Sequence, residues 1–428
     1  MSASKHPDRF ILYVALLVIL ALTLRVHYVL AVDLVNPMGG DSREYLAYAK
    51  NLLRGYFGHG AASDAYRSPG YPTLIAASVW MGGNWYVRLQ LWQAILGAAT
   101  VGMAACLARR MMPAWGAGLS GLLLAVWPHH IAFTAEILNE VVLGFGLTGA
   151  LLLTVLAIDL KSRKMGIAAG VSWGLTCLIN PIIALIPFIL LLWQGRRAPR
   201  VFLFMIIPAL LMVGLWSLRP VSGASERVWT NLVQGSWPLY HRAYVSRNAH
   251  PEPARIMAEI DAETALMLDD RTAGLTAMRS RMAKQPWTYV DWYLRKPYLL
   301  WDWDVRISDA FGPYVHVANG SPFDTELPAT GLSLARALNP VIFWGALLAS
   351  LTLLFRGRAD SQVLALAFLY VTAVHWVLQA EPRYSVPYRA IEFILFCLFV
   401  CRGVNAVSAF VHGRNRVPRN IKEARLNQ

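Results

Sequence analysis

The chain has 428 residues, 56% of them hydrophobic and only 15% charged, with a formal net charge of +14. So apolar a composition excludes an ordinary soluble domain, and several windows are long enough to cross a bilayer as helices. The positive excess does not point to nucleic acid, because it sits in short loops and tails: Lys5/Arg9, Arg109/Arg110, Lys161/Arg163/Lys164, Arg196/Arg197/Arg200, Arg356/Arg358, and the tail from Arg402 to Arg425.

Short basic loops on alternate sides of the spans are the positive-inside signature, which places them in the cytoplasm against anionic headgroups. The polar stretch Arg219–Thr330, by contrast, holds about 13 acids and 12 bases and is near balance. Cys106, Cys177, Cys397 and Cys401 all fall inside apolar segments, so the fold does not lean on oxidation.

The first predicted span runs from Phe10 to about Leu30. It is too long and too poorly terminated for a cleaved signal peptide, with Arg25 and His27 inside it, and reads as a retained span. An external segment of about residues 33–84 follows. In "GGDSREYLAYAKNLLRGYFG" (Gly39–Gly58), Asp41 stands behind two glycines at the mouth of an amphipathic helix with Tyr45, Leu46, Ala49, Leu52 and Leu53 on one face. In "YRSPGYP" (Tyr66–Pro72) two prolines and a glycine fix a turn that projects Arg67 at the headgroup level. The apolar piece Tyr71–Trp80 is expected to lie on the membrane surface.

Further spans are expected at about Tyr86–Leu107, Ala114–Pro128, Asn139–Ile158, Gly166–Leu178, Ile182–Trp193 and Val201–Leu218. After the external stretch come Leu334–Phe355, Val363–Leu378 and Pro387–Val400. The expectation is an all-α polytopic membrane protein with about ten transmembrane helices and both termini inside. It divides into a transmembrane core (1–218), an external region (219–330), C-terminal transmembrane helices (331–405) and a basic cytoplasmic tail (406–428). Within the external region, Pro286–Val305 carries four tryptophans and three tyrosines among charges, a composition suited to the headgroup level. Pro253–Met282 has helical spacing at Ile256, Ile260 and Leu266. No internal repeat is visible, which weighs against transporter folds built from duplicated halves.

Ionisable groups at the bilayer are costly and each needs an explanation. Asp41 and Glu140 (in "FTAEILNEVVLGF") stand at external helix starts, and Glu136 is expected one turn before Glu140 on the same face. They read either as a cap and dipole partners or as chemistry. Arg67 reads as a side chain snorkelling to lipid or as a fork for a carrier phosphate. Arg383, in "EPRYSVP" (Glu381–Pro387), pairs with Glu381 or meets the same phosphate. His129 and His130 could hold a divalent metal with Asp41 and Glu140, although adjacent histidines rarely both face one ion. His375, inside a span, reads as a proton relay or as a hydrogen-bonding partner of a neighbouring helix. No P-loop, Gly-rich dinucleotide motif, HExxH or GxSxG stands out, so nucleotide chemistry is not indicated.

The order of these pieces resembles a known family. Gly-Asp-Ser-x-x-Tyr with "AKNLLRG" is followed by Arg-Ser-Pro-Gly-Tyr-Pro, an apolar surface segment, "VRLQLWQAILG", "WPHHIAFTAEILNE" and finally "EPRYSVP". This is similar to the GT-C glycosyltransferases of the protein O-mannosyltransferase and aminoarabinose-transferase type, particularly their bacterial relatives. The resemblance covers roughly residues 10–220, thins through the external stretch and returns near Glu381. It implies a multi-pass enzyme of a bacterial inner (plasma) membrane, with its active site facing the periplasm. Such an enzyme moves a sugar from a polyprenyl-phosphate carrier to a hydroxyl of a glycan, lipid or protein acceptor.

Carried over by position, Asp41 matches the catalytic acid of the first loop and Glu140 the acid that ends the later Leu-x-Glu segment. Arg67 matches the arginine of the Arg-x-Pro turn, and Arg383–Tyr384 the late Arg-Tyr pair. Asp41 is then the base, Glu140 orients, and Arg67 and Arg383 meet the phosphate. Glu44, Tyr45, Tyr71 and Tyr384 complete the expected substrate contacts. Three departures leave the donor sugar and the cofactor, a divalent metal included, open. Asp41–Ser42 stands for Asp-Glu, Asn180–Pro181 for Arg-Pro, and Arg219–Pro220 for Arg-Asn. Rival readings are a membrane transporter or lipid flippase, a non-catalytic scaffold, and an O-antigen polymerase or ligase.

Overall fold

A backbone in hydrocarbon has no water to bond, so membrane-spanning segments of such a chain fold as helices. The computed structural model is helical almost throughout, and describes residues 7–34, 37–60, 63–64, 66–219, 226–238, 240–307, 310–311 and 322–414. Lys5, Pro220 and the tail beyond Arg414 lie outside the described residues. The first half consists of α1 (Pro7–Ala31), α2 (Asp41–Leu53), α3 (Gly70–Trp80), α4 (Trp85–Arg109), α5 (Ala114–Val126), α6 (Pro128–Ala132), α7 (Glu140–Leu160), α8 (Arg163–Ile179), α9 (Ile186–Gln194) and α10 (Pro199–Ser217). The external region supplies α11 (Glu226–Gly235), α12 (Tyr240–Ser246), α13 (Pro251–Asp269), α14 (Arg271–Lys284) and α15 (Pro286–Leu300). The last spans are α16 (Glu326–Arg356), α17 (Ala359–Val377) and α18 (Arg389–Arg414), with a 3-10 turn over Pro382–Tyr388 before α18. A two-residue antiparallel pair, Arg306–Ile307 with Ala310–Phe311, is the sheet among the described residues.

A helix coincides with each of the ten expected spans. By length and composition seven of them can cross a bilayer, namely α1, α4, α7, α10, α16, α17 and α18 with its preceding turn. The other three, α5, α8 and α9, have 13, 17 and 9 residues. α17, α4 and α7 are the inner helices, while α1 turns Ile11, Leu12, Leu16 and Ile19 outward, as a lipid-facing helix does.

Three buried cations hold the bundle, each by backbone oxygens. Arg25 in α1 is fully buried and donates to the carbonyls of Leu124 and Ala125 at the end of α5. It caps carbonyls that have no partner within the helix. Arg389 bonds Asn339, Glu392 and the carbonyls of Trp301 and Asp302, tying the end of α15 to α16 and α18. Lys296 donates to the carbonyls of Gly235 and Val377.

Two expectations change. The helical run at Pro253–Met282 is two helices, because Asp270 breaks it and caps α14 by accepting from the amides of Thr272 and Ala273. Glu136 and Glu140 do not share a helix: α7 begins at Glu140, and Glu136 lies in the turns before it. The apolar piece at Tyr71–Trp80 is α3, which packs on α2 and α4 and buries Tyr71, Ile75 and Ala76.

Candidate active site

Asp41 opens α2 without capping it. Gly40 takes the flanking position at φ 53°, ψ −128°, a conformation that glycine adopts without strain, and no side chain caps the helix. The carboxylate is engaged elsewhere: Oδ1 accepts from Arg67 Nη2 at 2.6 Å and Oδ2 from Arg383 Nη2 at 2.7 Å. Glu44, one turn on and on the same face, accepts from Nε and Nη2 of Arg67 at 2.9 and 2.7 Å. Ser42 donates to the Ile137 carbonyl and so ties the start of α2 to the turns that lead into Glu140.

Glu140 is the first residue of α7 and accepts from Arg383 Nε through Oε1 at 2.6 Å. One turn into α7, Gly144 lies against the Pro387 backbone, where an added Cβ would sit 3.3 Å from the carbonyl oxygen. That close approach brings α7 to the 3-10 turn carrying Arg383. Arg383 therefore pairs with Asp41 and Glu140, while Glu381 faces His241 at 3.5 Å.

Asp41, Glu44, Tyr45, Arg67, Glu140, Arg383 and Tyr384 line one cavity of about 260 Å³. Tyr71 stands behind it, edge-on to Tyr45 and donating to Gln93, so it supports the wall without lining it. Both arginines expected to meet a phosphate have their forks filled by carboxylates. Burial alone would raise the Asp41 pKa, but Arg383 and Arg67 outweigh it and hold the carboxyl well below the usual range. Burial would likewise lower Arg67, and Asp41, Tyr45 and Glu44 outweigh that, so its guanidinium stays charged.

A second cavity, of about 360 Å³, shares a wall with the first through Tyr66, Arg67, Asn180, Arg227, His375 and Tyr384. Its other side is mostly apolar, with Leu178, Val213, Trp216 and Val228. Arg219 lines it too, stacked 3.4 Å from the Trp216 ring centre. Asn180, a departure from the family pattern, and Arg219, which keeps the arginine of the Arg-Asn pair, thus both stand on this cavity.

The sequence reading missed the wall built by the external region: Arg227, Asn231 and Gln234 of α11, and Tyr240 and His241 of α12. A signal was present, since Arg227, Asn231 and Gln234 recur at the spacing of one helical face. His129 and His130 do not join the site, whereas His375 lines both cavities. His130 Nε2 lies 2.9 Å from the Val386 carbonyl, and His129 packs on Trp303. Among the described residues no three His, Cys, Asp or Glu side chains are grouped to hold a metal ion.

Residues 66–222, just over a third of the chain, match the family described as dolichyl-phosphate-mannose-protein mannosyltransferase. That range takes in Arg67, Glu140, Asn180 and Arg219 and leaves out Asp41 and Arg383. No curated protein gives a significant sequence match. Among solved structures, the oligosaccharyltransferase of Archaeoglobus fulgidus in its apo form aligns with a TM-score of 0.54 at 13% identity, over 97% of this chain and 53% of that one. The archaeal oligosaccharyltransferase AglB of the same organism, in complex with an inhibitory peptide and a dolichol-phosphate, gives 0.50 at 14% identity over 97% and 52%. ArnT from Cupriavidus metallidurans bound to undecaprenyl phosphate gives 0.40 at 13% identity over 97% and 82%. The chain spans about half the length of the oligosaccharyltransferases it matches. The fold is that of the GT-C membrane glycosyltransferases.

Proposed function

We propose that the chain is a membrane glycosyltransferase that moves a sugar from a polyprenyl-phosphate carrier to an acceptor hydroxyl, at the membrane face opposite the basic loops. One observation carries the reading: a charged chamber and a mostly apolar cavity meet along a shared wall. A lipid-linked sugar has the same division, an apolar tail and a polar head joined at a phosphate. A transporter would need ionisable groups across the midplane, whereas the charged residues lining these cavities gather at one end of the spans.

The roles follow from what each side chain has left to offer. Asp41 is 32% exposed and keeps lone pairs beyond those given to the arginines. It accepts the proton of the acceptor hydroxyl as that oxygen attacks the anomeric carbon and the bond to the phosphate oxygen breaks. A carboxylate of such low basicity serves because the transition state of glycosyl transfer resembles an oxocarbenium ion. The attacking oxygen becomes acidic as its bond forms, so the proton moves late. Arg67 and Arg383 fix the direction of the carboxylate. The departing phosphate needs positive charge. Arg227 and Arg219 stand on the second cavity and neither is held in an ion pair at contact distance among the described residues, Arg219 feeling Asp64 only from farther off, so they meet it.

Asp41→Asn tests the assignment. Asparagine keeps the shape but cannot take the proton, and loss of a positioned base costs about 100- to 10,000-fold in rate. Asparagine leaves one of the two arginines without its acceptor, so the variant should be somewhat less stable, and its folded fraction in membranes supplied with lipid-linked donor should transfer almost no sugar. Transfer at close to the parent rate would remove Asp41 as the base.

A further inference from the structure

Arg383 stands between two carboxylates that reach it from separate helices. Its Nη2 donates to Asp41 Oδ2 at 2.7 Å and its Nε to Glu140 Oε1 at 2.6 Å. These two N–H groups share one edge of the planar guanidinium and point the same way, so the two oxygens are drawn side by side onto one positive charge. Carboxylate oxygens gathered on a cation are also how proteins hold magnesium, calcium or manganese. The sequence leaves open whether such an ion acts here.

The residues present do not fit one. Asp41 gives its other oxygen to Arg67 at 2.6 Å, so both of its oxygens already face a guanidinium. A ligating carboxylate must bring negative charge to the metal, and this one is balanced twice. Unlike a lysine or a histidine, an arginine does not shed its proton to make room for a second cation. Arg383 is also held in place. Its side chain is 12% exposed and that of Glu140 is 4%. Its backbone sits in the 3-10 turn whose Pro382, Ser385, Val386 and Pro387 are buried, with Ser385 donating to the Pro382 carbonyl. To leave, it would break two charge-assisted bonds and strand Glu140 as a buried, unbalanced charge.

We propose that the Arg383 guanidinium occupies the place of a divalent cation between Asp41 and Glu140, and that sugar transfer by this chain needs no metal. The first half stands on the geometry, and the second rests on the carrier reading above. The chain carries the cation as one of its own side chains, which neutralises Glu140 and aims Asp41. Without that guanidinium the two carboxylates are unbalanced neighbours, and a divalent ion gains a site.

The test uses the full chain in nanodiscs with Mn²⁺ as the probe, counting bound ion by the loss of the free-ion spin resonance and following the Tm. For the parent protein, EDTA or about 1 mM Mn²⁺ should leave the Tm within about 1 °C. Arg383→Ala should bind about one more Mn²⁺ per chain than the parent, and Mn²⁺ should raise its Tm by about 3 °C or more. Adding Glu140→Gln to that variant should abolish the extra uptake, which separates this site from exposed acids elsewhere. Parent protein that binds Mn²⁺ at a site lost with Glu140→Gln overturns the proposal. So does a folded Arg383→Ala protein that takes up no more Mn²⁺ than the parent. Should Arg383→Ala not fold, the parent measurements still decide. Transfer from lipid-linked donor should survive EDTA, and a loss of about tenfold or more that Mn²⁺ or Mg²⁺ restores overturns metal independence. A parent protein that transfers no sugar under any condition removes the carrier reading instead, and the Mn²⁺ measurements then decide the place of the cation alone.

Discussion

At the scale of single residues, Glu136 behaves in the opposite way to Asp41, although both are acids near Arg383. Asp41 is gripped by two guanidiniums, whereas Glu136 is buried with Oε1 unpartnered. Burial pushes its pKa from 4.5 to about 8, Arg383 opposing and Glu140 adding to the rise. The folded state therefore holds this proton more tightly than the unfolded chain does, and stability falls as pH rises between about 4.5 and about 8. Glu136→Gln, which cannot ionise, should match the parent at pH 5 and exceed it at pH 9. The gain should be about 1–4 kcal/mol, since each tenfold change in proton affinity is worth roughly 1.4 kcal/mol. Thermal unfolding of the solubilised protein at the two pH values measures this, and an equal difference at both would remove the buried-proton account. The sequence shows such residues by type and by place, but not their pairing. Asp41 meets Arg67 across 26 positions and Arg383 across 342, and neither pairing follows from local spacing. For that reason Arg67 reads in the sequence as a lipid anchor or a phosphate fork and Arg383 as a partner of Glu381 or of the phosphate, whereas in the structure Asp41, Glu44 and Glu140 fill both.

Among the elements, the way α11 is fixed over the two cavities has one centre. The ammonium of Lys296 donates to Gly235 at the end of α11 and to Val377 at the end of α17, so the negative ends of two helix dipoles converge on it. Trp292 donates to the same Gly235 carbonyl. α11 contributes Arg227, Asn231 and Gln234 to the chamber, and α17 with its following turn contributes His375 and Gln379. Lys296 thus positions one cavity wall against the other without touching either cavity. It is fully buried, and burial lowers its pKa to about 7, which marks the cost of keeping the charge there. Lys296→Met removes that cost along with the clasp, so overall stability should change little. Amide hydrogen exchange across residues 226–235 should speed up about tenfold or more, with α4 and α7 unchanged. Unaltered exchange in α11 would show that the clasp does not hold it. Seven of the spans were legible because each is a long apolar window, and α5, α8 and α9 were legible as shorter ones. The packing of α11 to α15 was not, since Lys296 finds its partners 61 and 81 positions away.

For the whole molecule, the site itself constrains how often the chain crosses the membrane. Asp41 follows α1, Glu140 opens α7, and both touch Arg383. If α4 were the only crossing between them, they would lie on opposite faces, separated by a hydrocarbon core of about 30 Å. The chain must return, and α5 is the helix available to return it. Its 13 residues reach only about 20 Å at about 1.5 Å per residue, so it ends short of a full span. An irregular end at that depth is tolerated where protein satisfies it, and here Arg25 caps the Leu124 and Ala125 carbonyls. The arginine that looked out of place in the first span is what lets α5 stop there. By the same reasoning α8 and α9 return the chain between α7 and α10. The loops at Arg110, Lys161, Gly195 and Gly357 then share one face, and the chamber and Asp270 share the other. Seven crossings alone would instead put Lys161 on the face opposite Arg110. A reporter active only outside the cytoplasm should be silent when fused after Arg110, Lys161, Gly195 or Gly357, and active after Asp270. Activity after Lys161 would mean that α5 does not return the chain, and would contradict the placing of Asp41 and Glu140 on one arginine.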